Sequence, residues 1–76
     1  MPGATLETGL TRRETKDELR NDNANAARDL ARRTGQSHAF INAELNRLAG
    51  VRRITEATVA QLEARLRHAE RWLARL

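Results

Sequence analysis

The 76-residue chain carries 14 Lys and Arg against 10 Asp and Glu, a formal net charge of +4, and 39% of its residues are hydrophobic. Thirteen of the hydrophobic residues are Ala, so 17 bulky apolar side chains remain, enough for one small domain with a thin stability margin. Cysteine is absent, which excludes disulfides, thiolate metal sites and cysteine nucleophiles, and no apolar run approaches the ~20 residues of a membrane span.

One Phe, one Trp and no Tyr leave a β-sandwich or barrel without its usual filling, and four Gly with one Pro are too few for its turns. Ala, Leu, Arg and Glu dominate, and all four are good helix formers. The expected fold is all-α: a small domain of three to four helices with a helix-turn-helix-like hairpin and a long C-terminal amphipathic helix.

Residues 1–10 show no periodicity and read as a flexible leader, leaving 11–76 as a single helical domain. Thr11-Arg12-Arg13-Glu14 matches a capping box, and Thr15 to Glu18 repeats the pattern, so a helix starts at one or the other. Asn21-Asp22-Asn23-Ala24-Asn25 follows Leu19, and Asn and Asp side chains compete with the backbone for hydrogen bonds. A break is expected there, giving a short helix near 12–21 and a second near 23–34. Gly35 suits a left-handed helix end, and Ser37 suits the cap of a helix over 38–49 whose inner face is Ile41, Leu45 and Leu48.

Gly50 ends that helix, and Val51-Arg52-Arg53-Ile54 forms a short connector. Thr58 to Gln61 is a further capping box, with Ala57 and Leu62 at the hydrophobic-staple positions. Val59, Leu62, Leu66, Ala69, Leu73 and Leu76 then recur at three- and four-residue steps as an apolar stripe, flanked by a Glu63–Arg67 pair. The expected core is Leu19, Leu30, Ile41, Leu45, Leu48, Ile54, Val59, Leu62, Leu66 and Leu73, with Phe40 and Trp72 closing its ends.

Two helices joined through Gly-x-Ser, with small Ala31 four before Gly35 and Ile41 and Leu45 six and ten after it, match helix-turn-helix spacing. Thr34 and Gln36 depart from it, because apolar residues usually flank the turn glycine. On this reading the outer face of the 38–49 helix meets the major groove with Ser37, His38, Asn42 and Asn46, Asn being able to read adenine through two hydrogen bonds. Arg32, Arg33, Arg47, Arg52 and Arg53 would take phosphates. Thirteen of the 14 basic residues are Arg, whose planar donor fork suits that task. An ordinary polar helix face explains the same residues, and Glu44 and Asp29 oppose phosphate.

Thr34-Gly35-Gln36-Ser37-His38, Ile41, Glu44-Leu45-Asn46-Arg47, Gly50, Ala57-Thr58, Gln61-Leu62, Arg65 and Trp72 together resemble the C-terminal tail of a group of actinobacterial ATP-dependent helicases of the DEAD/DEAH type, superfamily two. The resemblance spans roughly residues 27–73. It implies an accessory module beside a motor, or a free-standing relative of one. It does not imply ATPase activity, because the chain holds no Gly-x-x-x-x-Gly-Lys phosphate loop.

His38 and His68 are the only histidines, with no carboxylates at ligand spacing, so no catalytic constellation, metal site or cofactor is expected. Two functional classes remain. One is a DNA-binding helical module; the other is a protein-interaction or dimerisation module without nucleic-acid contact, using Leu66, Ala69, Leu73 and Leu76 for a second copy or a larger protein. A cytoplasmic location without membrane association is the default expectation.

Overall fold

The structure, a computed structural model, describes residues 2–76, with side chains described from residue 15 onward. Three helices follow one another: α1 (Pro2–Thr34), α2 (His38–Ala49) and α3 (Val59–Ala74), with a 3-10 turn at Ile54–Glu56 between the last two. Residues 2–10, expected as a leader, fall within α1, and the side chains of the capping box expected at Thr11 lie outside the described residues. Thr15, the alternative helix start, sits inside α1.

The break expected at Asn21–Asn25 does not occur, and α1 runs through it without interruption. The reason lies in where these polar side chains go. Asn23 is 1% exposed, and its Nδ2 donates to the Leu19 carbonyl one turn back and to the Leu62 carbonyl of α3. Its amide is therefore spent on the helix and a tertiary contact, not on unwinding the backbone. Asn25 accepts from Arg28 on the same helix, and Asn21 and Asp22 face solvent.

The α1–α2 hairpin forms as the spacing predicts. Gly35 adopts φ 75°, a left-handed conformation that costs glycine little, and its N–H bonds the Ala31 carbonyl at 2.9 Å. Ala31 is buried at the crossing. Ser37 caps α2, its Oγ accepting from the Phe40 N–H at 3.1 Å. At the start of α3 both bonds of the capping box are made: Thr58 Oγ1 accepts from the Gln61 N–H, and Gln61 Oε1 accepts from the Thr58 N–H. The Gln61 amide also donates to the Gly50 carbonyl, tying the end of α2 to the start of α3.

α3 packs against both α1 and α2, and among the described residues the interior divides into two apolar clusters. One holds Ala27, Leu30, Ala31, Ile41, Leu45 and Ala69, with Trp72 and Leu73 against it. The other holds Val51, Ala57 and Leu62, with Leu19 and Ile54 against it. Between them along the helices lie two buried polar residues, Asn23 on α1 and Arg65 on α3. Val59 and Leu66 are half-buried.

Three expectations about packing fail. Phe40 and Leu48 are 47% and 40% exposed, because the buried side of α2 is centred on Ile41 and Leu45 and α3 lies on its Asn42–Asn46 flank. Glu63 does not pair with Arg67; both are exposed, where such a pair contributes little.

Leu45 is fully buried between all three helices. Leu45→Ala should cost about 2–5 kcal/mol, most of the margin of so small a domain. Thermal melting followed by circular dichroism should show a loss of cooperativity or a marked fall in Tm.

Candidate nucleic-acid interface and the Arg65 cluster

The chemistry of the molecule gathers around Arg65, which is 1% exposed and is the largest fully buried side chain. Its Nε donates to Asn23 Oδ1 at 3.0 Å. One terminal nitrogen donates to the Asn42 carbonyl at 3.3 Å and to Asn46 Oδ1; the other donates to Asn42 Oδ1 at 2.8 Å. Four of the five guanidinium N–H groups are thus placed on neutral oxygens from α1 and α2. No carboxylate pairs with it among the described residues. Burial without a counter-charge pushes the Arg65 pKa below its ordinary value.

This arrangement decides what α2 can offer a partner. Asn42 and Asn46, the expected base readers, turn their oxygens inward to Arg65, and Asn42 Nδ2 is spent on the His38 carbonyl at 3.0 Å. Ser37 is consumed by its cap. His38 is exposed at the first turn of α2. The solvent face of α2 is instead Ala39, Phe40, Ala43 and Arg47. Arg47 is hydrogen-bonded to Glu44, which lowers the Glu44 pKa, so the pair persists at neutral pH and opens as acid titrates the carboxylate.

The other arginines expected to take phosphates lie toward the two ends of α2. Arg32 and Arg33, in the last turn of α1, share Asp29 at 2.5 and 3.4 Å. Arg52 and Arg53 lie past the other end, about 18 Å of helix away. Arg53 makes a loose 3.9 Å contact with Glu56, and Arg52 forms no ion pair among the described residues. Both are exposed and, with Glu56, line a polar depression.

The expected partner face is largely used inside the molecule. Ala69 is 0% exposed within the core, so it cannot line an external surface. Leu66 and Leu73 are half-buried, and only Leu76, beyond the end of α3, is freely exposed at 59%.

Sequence reasoning passed over Asn23, Arg20, Arg28 and Arg65 as site residues. The signal for Arg65 was its spacing. It stands three after Leu62 and four before Ala69, and both of those are buried. No group of three or more His, Asp or Glu able to hold a metal ion occurs among the described residues, nor any helix long and apolar enough to cross a membrane.

Arg65→Met should strand the Asn23, Asn42 and Asn46 oxygens and cost about 3–5 kcal/mol, read as a fall in the urea midpoint. Asn46→Asp should act oppositely, keeping the acceptor while supplying the missing charge. A carboxylate beside Arg65 has a folded pKa below its unfolded value of about 3.9. Its stabilisation is therefore present above that value and is lost as pH falls through the folded pKa.

Comparison with protein-family models, with curated proteins and with solved structures finds no match to this chain.

Proposed function

We propose that this chain is a DNA-binding accessory module that holds the phosphate backbone rather than reading base edges. The α1–α2 hairpin carries the reading: its left-handed Gly35, buried Ala31 and capped α2 are consistent with helix-turn-helix spacing, and exposed arginines lie beyond both ends of α2. Net charge of +4 and the resemblance to a helicase tail support it. A motor that moves along DNA needs accessory contacts indifferent to sequence, and phosphate contacts carry no sequence information. The engagement of Asn42 and Asn46 by Arg65 argues against base readout.

Exposed Phe40, Leu48 and Leu76 favour a second reading, a protein-interaction module without nucleic-acid contact. The two are separated by the salt dependence of duplex binding. R52Q/R53Q should weaken binding to every duplex alike and flatten the slope of log K against log salt by about 1.8, the value for two lost phosphate contacts. Replacing Asn42 or Asn46 by Ala should lower Tm without creating or abolishing a sequence preference. Absence of duplex binding at low salt, or an unchanged slope in R52Q/R53Q, would contradict the backbone-gripping reading.

A further inference from the structure

A cleft of about 450 Å³ opens where the middle of α1, the start of α2 and the 3-10 turn meet over Arg65. Arg20, Arg28, His38 and Arg65 line it, and no carboxylate does among the described residues. Three observations set it apart from an ordinary basic surface. Arg65 contributes a buried positive charge that no carboxylate cancels, and one N–H of its terminal nitrogens has no protein acceptor. Arg20 Nε is buried with no hydrogen-bond partner, the one such side-chain atom among the described residues. The remainder of the Arg20 guanidinium makes only a 3.4 Å contact to the Thr55 carbonyl and a 3.7 Å contact to Asp17.

Unmatched donors and unmatched charge at one place are unfavourable in an empty protein and favourable once an anion arrives. Arginine forks suit tetrahedral oxyanions, to which they donate two parallel hydrogen bonds. The volume exceeds what a bare phosphate needs and falls in the range of small-molecule sites, ~300–1,000 Å³. Ala24, Ala27 and Ile54 supply an apolar wall.

We infer that this cleft binds a phosphate monoester, its phosphate held by Arg20, Arg28 and His38 above Arg65 and its organic group against Ala24, Ala27 and Ile54. A free nucleotide and the 5′-phosphorylated end of a strand present this same chemistry. The site is separate from the duplex contacts proposed above, since Arg52 and Arg53 do not line it.

The test is an amide NMR titration of the full chain at fixed ionic strength with AMP, with adenosine, and with a short single strand bearing either a 5′-phosphate or a 5′-hydroxyl. AMP or the phosphorylated strand should give saturable shifts at Ala24, Arg28, His38 and Thr55, while adenosine and the 5′-hydroxyl strand should not. The tighter of the two phosphorylated ligands identifies the source. R20Q/R28Q should weaken binding at least about tenfold with Tm retained, because each loses a charge-assisted fork. R52Q/R53Q should bind AMP as the parent does, so a failed duplex experiment leaves this result intact. Equal binding of adenosine and AMP, no shifts from either phosphorylated ligand at millimolar concentration, or unchanged affinity in R20Q/R28Q would overturn the assignment.

Discussion

A buried guanidinium with no carboxylate beside it among the described residues sets how the three helices meet. Arg65 needs several acceptors in one plane, and α3 cannot provide them from its own turn. Asn23 of α1 and Asn42 and Asn46 of α2 supply them, so one side chain joins all three helices. The apolar clusters on either side would tolerate a sliding of the helices by a fraction of a turn, since apolar burial has no direction. The guanidinium fork would not. Its geometry fixes the rotation of α3 and turns Ala69, one turn further on, into the core; Leu76 is exposed because it lies past the end of the helix.

The same constraint shapes the surface chemistry. Neutral amides solvate the Arg65 charge without cancelling it, so its field persists into the cleft above, where Arg20 and Arg28 add to it. Meanwhile the asparagines that solvate it are removed from the outer face of α2. What remains there is small, apolar or already paired: Ala39, Ala43, Phe40, and Arg47 with Glu44. A surface of that kind leaves little with which to discriminate among base edges.

Much of this fold is legible in the sequence because it depends on local rules. Gly35, Ser37, Gly50 and the Thr58–Gln61 box mark helix ends through backbone conformation and capping, which act over three or four residues. The misreadings at the polar positions share one cause. Asn23, Asn42, Asn46 and Arg65 look like solvent-facing residues when each helix is considered alone, and only their meeting across sequence separations of 19 to 42 residues makes burial favourable. Hence Asn23 suggested a helix break, Asn42 and Asn46 suggested free readers, and Arg65 was passed over in favour of Leu66. The cleft was hidden for the same reason, since its arginines come from two helices, α1 and α3, far apart in the chain.

The most direct measurement is solvent exchange of the Arg65 Nε–H by NMR, with nuclear Overhauser contacts to neighbouring side chains. A buried, hydrogen-bonded guanidinium predicts slow exchange, contacts to Asn23 and Asn42, and a distinct Nε resonance. Exchange as fast as that of exposed Arg52, without those contacts, would place Arg65 in water and contradict the account.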